Sequence, residues 1–141
     1  MEQARSLRAG RLDSLDHQSL ADLLTDMAIS EMRALGSALR ILLQHMLKVM
    51  LQPEKLTRSW LYTIAVQQDE AKTLIKQHPG MRSHLPAIYS DVYPRARHLA
   101  AVETGIPEAR FPMDNPWTMD EALAYVPPQP PPRGRGVTRK R

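Results

Sequence analysis

The sequence predicts an all-α fold, a compact bundle of about three long helices with short N- and C-terminal helices and a disordered tail rich in proline and arginine. Hydrophobic residues make up 43% of the 141 residues but aromatic residues only 5%. A core rich in Leu, Ala and Met suits helices better than sheets. Apolar residues also recur every three or four positions through three long segments, which is the period of a helix face.

The first elements are a short helix over residues 2–9, ended by Gly10, and a long helical pattern over residues 16–51. Whether this pattern is one helix or two stays open, and a break or bend near residues 28–30 with Ser30 as cap is favoured. Gln44, Arg33 and Arg40 fall on the polar face and are expected in solvent. The apolar stripe consists of Met32, Leu35, Leu39, Leu42, Met46 and Val49.

Pro53 ends the long pattern, because the residue before a proline disfavours helix. Thr57 or Ser59 is expected to cap the next helix, over residues 59–77. Its apolar face consists of Trp60, Ile64, Gln67, Ala71, Leu74 and Ile75.

A further helix is predicted over residues 83–104, with Pro86 in its first turn, Pro94 kinking its interior and Gly105 after its end. Its apolar side consists of Leu85, Ile88, Val92, Ala96, Leu99 and Ala100. Three prolines make residues 106–117 extended, and Phe111 and Trp117 are expected to pin this segment to the body. Thr118 then caps a short helix from Met119 to about Tyr125.

Several short motifs stand in a fixed order along the chain. They are Leu7-Arg8-Ala9-Gly10 with Leu15-Asp16, His45-Met46-Leu47-Lys48, Gln52-Pro53-Glu54, Arg58-Ser59-Trp60, Ile64 with Gln67, Ala96-Arg97, Glu103-Thr104-Gly105-Ile106-Pro107, Phe111-Pro112 and Pro116-Trp117-Thr118. This ordered set resembles the bacterial family called domain of unknown function, family 29, over about residues 5–126. The resemblance implies an all-α domain of residues 1–126 with no established activity, cofactor or partner, followed by a basic tail of residues 127–141.

The chain departs from the family pattern at three places. Members of the family usually have an acid-rich segment at residues 21–26, often a tryptophan at the position of Val49, and a helix-compatible residue at the position of Pro94. A family function that used the acid-rich segment would be weakened in this chain.

Composition excludes several kinds of chemistry. The chain has no cysteine, so disulfides, thiol nucleophiles and cysteine-ligated metals are excluded. The five histidines include no pair at i, i+4, and His78 and His84 flank a turn that is expected to be solvated, so no metal or cofactor is predicted. Neither a phosphate-binding glycine loop nor a nucleophile elbow is present, so no catalytic residue is assigned.

The predicted location is the cytoplasm. No apolar run follows Met1, so no signal peptide is expected. The most apolar stretch, residues 41–51, is interrupted by Gln44, His45 and Lys48 and is too short to span a membrane.

The candidate site is a polar seam between the first two long helices. On one flank of the long helix, Glu31 and His45 stand at multiples of seven residues, and Gln67 falls within the apolar face of the next helix. Buried polar groups need partners, so we expect Gln67 to pair with His45 or Glu31, with Trp60 beside them. Two interpretations stay open: a structural histidine that fixes register, or the floor of a small ligand or partner pocket with Lys48 and Arg58 at its rim.

Charge is divided unevenly along the chain. Residues 1–126 carry 14 basic and 15 acidic residues, a net charge of −1, whereas the tail carries five basic residues and no acid. These are Arg133, Arg135, Arg139, Lys140 and Arg141. Basic Arg-Gly segments bind nucleic acid weakly through phosphates, in a salt-dependent way, and a solubilising role is the alternative.

Three classes of function follow from these patterns. The favoured class is a non-catalytic bacterial interaction or regulatory module, binding a protein partner or a second copy of itself through any Met-rich face left uncovered. The second is a nucleic-acid-associated accessory protein, antitoxin-like or regulatory, that uses the tail. The third is a small enzyme or ligand-binding domain with a pocket around His45.

Overall fold

The computed structural model describes residues 14–130 and residue 132, and the description below refers to these. Four α-helices follow one another: α1 (Ser14–Leu51), α2 (Arg58–Gln77), α3 (Leu85–Thr104) and α4 (Met119–Leu123). Short 3₁₀ helices at Pro53–Lys55, Pro79–His84 and Glu108–Arg110 connect them. No strand occurs in this part of the chain, which confirms the all-α prediction. The predicted helix over residues 2–9 and the basic residues of the tail lie outside it.

The long pattern forms one uninterrupted helix, so the favoured break near residues 28–30 is wrong. Ile29, Ser30 and Glu31 all carry a backbone N–H, and none is a proline, so nothing prevents the i→i−4 hydrogen bonds from continuing. Gly36 does not interrupt α1 either. It faces Val92 and Ile88 of α3, where its missing side chain leaves room for contact between the two helices.

The chain divides into two units, residues 1–34 and residues 35–141. In the described part of the first unit every residue from 17 to 30 is exposed. The second unit contains the hydrophobic core, built from one face of α1 after Ala34 together with α2, α3, Phe111 and α4. Its fully buried side chains include Leu35, Leu39, Leu42, Leu43, Met46, Leu47, Ile64 and Phe111.

Helix α2 begins where a side chain can satisfy its first free N–H groups. Thr57, one of the two predicted caps, is in an extended conformation and its hydroxyl accepts a hydrogen bond from the N–H of Trp60. Ile64, Ala71 and Leu74 are buried, as their spacing predicts.

Helix α3 has the predicted limits to within two residues. Pro86 lies in its first turn, where a missing N–H costs least, and Pro94 lies inside it. Gly105 follows the last residue of the helix, and its φ of 74° is in the left-handed region that glycine adopts without strain.

The segment after α3 is held to the body by side chains. Phe111 is 2% exposed, and Trp117 packs against the core with its ring edge-on to Tyr125. Thr118 and Glu121 form a capping box that begins α4. Gln68 of α2 then donates hydrogen bonds from Nε2 to the carbonyls of Ala122 (3.1 Å) and Tyr125 (2.8 Å), which fixes the end of this helix.

One helix, over His17–Leu51, is long and apolar enough to cross a membrane, with a mean hydropathy of 1.3 in its most apolar window. Half of that window is buried within the structure. Residues 41–51, predicted to be too short to span a membrane, are therefore the last part of a longer apolar helix.

Candidate functional site

The lysine expected at the rim of the predicted seam is buried. Lys48, in the last turn of α1, is 4% exposed. Its Nζ lies 2.7 Å from Oε1 of Glu103, in the last turn of α3, and 4.2 Å from the ring centroid of Trp60 in the first turn of α2. A desolvated ammonium is tolerated because the carboxylate neutralises it and the aromatic face attracts it.

The second carboxylate oxygen of Glu103 is also used. Gln44 donates from Nε2 to Glu103 Oε2 at 2.8 Å, and its own Oε1 accepts from Nη1 of Arg40 at 3.0 Å. We call Arg40, Gln44, Lys48, Trp60 and Glu103 the Lys48 cluster. Arg40 and Gln44 are half-buried here, so the expectation that both lie in solvent is wrong, whereas Arg33 is exposed as predicted.

Two groups at the cluster have shifted pKa values. Burial lowers the pKa of His45, and the nearby Lys48 ammonium adds to this, although a hydrogen bond to the carbonyl of Ile41 opposes it. Burial raises the pKa of Glu103, but hydrogen bonds from Lys48 and Gln44 outweigh it and hold the value below the ordinary one. Glu103 is therefore ionised at neutral pH, and His45 is neutral.

The seam differs from its prediction in its pairs. His45 Nδ1 lies 2.9 Å from the carbonyl oxygen of Ile41, one turn earlier on its own helix. A carbonyl only accepts, so Nδ1 carries the hydrogen. The predicted pairing of Gln67 with His45 is not formed in the described structure, and Gln67 is half-buried while its neighbour Gln68 makes the long-range hydrogen bonds.

The other predicted members divide as follows. Trp60 lies beside Lys48. Lys48 is buried and not at a pocket rim, because it pairs with Glu103, a partner that the sequence did not predict. Arg58 is exposed at the start of α2. Glu31 is half-buried and belongs to the first unit. The Lys48 cluster uses its charges internally to join α1, α2 and α3, so its geometry supports a structural role.

A second candidate site is a half-open cleft of about 630 Å³ beside the first half of α3. Its walls are the side of α3 from Leu85 to Pro94 and the segment from Met113 to Met119. Two tyrosines one turn apart hold these walls together: Tyr89 donates its hydroxyl hydrogen to the carbonyl of Trp117, and Tyr93 donates to the carbonyl of Pro112. No sequence motif identified this cleft, since its two walls come from segments about 25 residues apart along the chain.

A third feature is the exposed stripe, which we define as Leu20, Leu23, Leu24 and Met27 of the first unit. Their exposed fractions are 47%, 56%, 58% and 55%. Spacings of three and four residues place them on one face of α1. Polar side chains occupy the other side, where Gln18 donates a hydrogen bond to Asp22.

Within the described ranges, no three His, Asp or Glu side chains come together in a way that could hold a metal ion. His98 and Glu108 form an exposed surface pair at 2.9 Å, with Arg97 3.7 Å from the same carboxylate.

Comparison with known proteins gives one match. No curated protein and no solved structure matches the chain. The model of one family, described as "Domain of unknown function DUF29", matches residues 1–126. The match covers all four helices and confirms the resemblance found in the ordered motifs, so the chain belongs to the DUF29 family.

Proposed function

We propose that this protein is a non-catalytic, cytoplasmic interaction module that binds a partner protein through the exposed stripe on α1. The single observation that carries the proposal is the exposure of four large apolar side chains on one helix face. Isolated exposed apolar residues are normal, but a contiguous row at helical spacing is typical of helices that lie in an apolar groove.

The stripe alone does not supply a tight complex. Burying a Leu or Met side chain fully contributes about 1.5–3 kcal/mol. About half of the surface of each of these four side chains is exposed and can still be buried, so together they contribute on the order of 3–6 kcal/mol to binding. Association itself costs roughly 4–15 kcal/mol. A stable complex therefore needs further favourable contacts.

Charge indicates what those contacts are. Residues 17–34 contain three acids, Asp22, Asp26 and Glu31, and one basic residue, Arg33, for a net charge of −2 with His neutral. A second copy would bring like net charge against like net charge, whereas a partner of net positive charge gains attraction. The proposed partner therefore presents an apolar groove and carries net positive charge.

The test compares two substitutions that place the same charge on opposite faces of α1 in the full chain. Leu24→Glu lies in the stripe, and Ile29→Glu replaces an apolar residue that is 38% exposed on the other side of the helix. Partners captured from the native host are purified, and their affinity for the wild type and both variants is measured by calorimetry at two salt concentrations. We expect Leu24→Glu to weaken binding at least tenfold, Ile29→Glu to change it less than twofold, and salt to weaken wild-type binding.

Two results would overturn the proposal. One is equal affinity for the two variants, which would place the contact elsewhere. The other is a wild-type dimer in sedimentation that Leu24→Glu dissociates, which would make a second copy the occupant of the stripe. Circular dichroism of both variants verifies that the helices are retained.

A further inference from the structure

The cleft beside α3 presents hydrogen-bond acceptors. Both tyrosine hydroxyls already donate their hydrogens to backbone carbonyls, so towards a ligand their oxygens act as acceptors. Burial raises the pKa of Tyr89 and of Tyr93, and it outweighs the opposing hydrogen bond from Asn115 at Tyr89 and the positive charge of Arg97 at Tyr93, so both phenols stay neutral.

The backbone of α3 adds another acceptor. Pro94 has no N–H, so the carbonyl of Ser90, four residues earlier, lacks its usual donor within the helix. Ser90 and Pro94 both line the cleft. A carbonyl released in this way can accept from a donor on a bound molecule.

The charged group in the lining is negative. Asp114 is exposed at the edge of the cleft, and no Lys, Arg or His is among the lining residues. The nearby Arg97 is already occupied, because it donates to the carbonyl of Phe111 at 3.2–3.3 Å and pairs with Glu108. Asn115 is the one amide in the lining: its Oδ1 accepts from the N–H of Trp117, and its Nδ2 is buried beside the Tyr89 hydroxyl without a well-formed hydrogen bond of its own.

Apart from Thr118, whose Oγ1 accepts from the N–H of Glu121, the remaining lining is apolar and aromatic. Leu85, Pro86, Met113 and Met119 surround the two tyrosine rings, and Met113 is 76% exposed at the entrance. The volume of about 630 Å³ is within the range of about 300–1,000 Å³ that is typical of small-molecule sites. Tyrosine rings attract organic cations, and thioethers pack adaptably against an aromatic body.

We propose that this cleft binds a small organic cation, an ammonium on an apolar or aromatic body. The body packs against the tyrosine rings and the methionines. The ammonium donates to the Ser90 carbonyl and to Asp114, whose carboxylate supplies the charge that selects a cation over an anion. This site lies in the second unit, on different residues from the exposed stripe, and it does not depend on the proposed partner.

The probe is phenethylammonium, and the comparison ligands are 2-phenylethanol and phenylacetate, which keep the aromatic body and change the charge. Binding to the full chain is followed by NMR of protein labelled at the methionine methyl groups, with Met113→Leu used to assign one signal of the cleft. We expect saturable shifts of the Met113 and Met119 signals, with the ammonium at least tenfold tighter than the alcohol and the carboxylate weaker still.

The variant is Asp114→Asn, and the matched control is Asp69→Asn, which removes one negative charge from an exposed position on α2 outside the cleft. We expect the first to weaken phenethylammonium binding at least fivefold and the second to leave it within twofold. Equal affinity for the ammonium and the carboxylate, equal effects of the two substitutions, or no saturable shift at Met113 and Met119 would each overturn the proposal.

Discussion

Replacing Glu103 by glutamine removes the negative charge that Lys48 contacts while keeping a side chain of nearly the same shape. Lys48 is 4% exposed and cannot move its ammonium into water without leaving the core. The introduced amide would still accept a hydrogen bond, and the Trp60 ring would remain 4.2 Å from Nζ, but the charge would no longer be neutralised. The variant is therefore expected to be destabilised.

The magnitude follows from the unequal exposure of the two partners. Breaking a fully buried ion pair costs about 3–5 kcal/mol, and losing an exposed one costs about 0–1 kcal/mol. Glu103 is 44% exposed, so solvent screening places the cost between these limits, at about 2 kcal/mol. For a domain of this size, that lowers Tm by roughly 6–10 °C.

Removing the other partner has a smaller effect. In Lys48→Met the thioether fills the space beside Trp60, and Glu103 keeps its hydrogen bond from Gln44 and its contact with water. The expected change is less than about 1 kcal/mol. Combining Lys48→Met with Glu103→Gln should then cost less than Glu103→Gln alone, because no buried charge is left without a partner.

Urea unfolding at pH 7 measures these differences, provided that the m-value is the same for each variant. Glu108→Gln is the control, because Glu108 is 42% exposed and also pairs with cations, yet His98 is 64% exposed and Arg97 keeps its hydrogen bonds to Phe111. The reasoning is refuted if Glu103→Gln and Glu108→Gln are equally stable, or if Lys48→Met costs more than Glu103→Gln.

Three further predictions concern pH, helix propensity and the tail. Because the pKa of His45 is lowered, its imidazole takes up a proton at higher pH in the unfolded chain than in the folded protein, so the contribution of His45 to stability is full above about pH 6.5 and is lost as the pH falls towards the folded pKa. Urea unfolding from pH 7.5 to 5.5 should show this loss of stability, and His45→Gln should reduce it. Gly36→Ala should stabilise the protein by about 0.5–1 kcal/mol in thermal unfolding, because alanine favours a helix interior more than glycine does and the added Cβ would lie at an ordinary contact distance of 3.6 Å from Val92 Cγ1. A loss of stability would indicate that α1 and α3 cannot accommodate the added methyl group. Deleting residues 127–141 should abolish any binding to single-stranded nucleic acid measured by fluorescence anisotropy, and wild-type binding should fall steeply with salt; binding retained by residues 1–126 would contradict a role for the tail.

The helices could be predicted because their signals are local. Periodic apolar residues, the Thr118 cap, Pro86 and Gly105 each act within a few residues, and each appears where the sequence placed it. The break favoured near residues 28–30 does not form, because Ser30 and Gly36 disfavour a helix only weakly and every N–H in the segment can still bond.

The site could be predicted only in part, because its pairs join distant residues. Spacing on one helix brought Lys48 into the candidate set, and the order of the elements brought Trp60, but Glu103 is 55 residues from Lys48 and no period relates them. The cleft was missed for the same reason. Its chemistry depends on which carbonyls the tyrosines reach, and this becomes visible only in three dimensions.

The two hydrogen bonds from Gln68 to the end of α4 also limit where the C-terminal segment can act. They hold the carbonyl of Tyr125 against α2, and Arg133, the first basic residue of the tail, is eight residues further along the chain. A fully extended chain of that length spans at most about 29 Å. Any phosphate group that Arg133 contacts must therefore lie within this distance, plus the length of the arginine side chain, of a fixed point on the helical body.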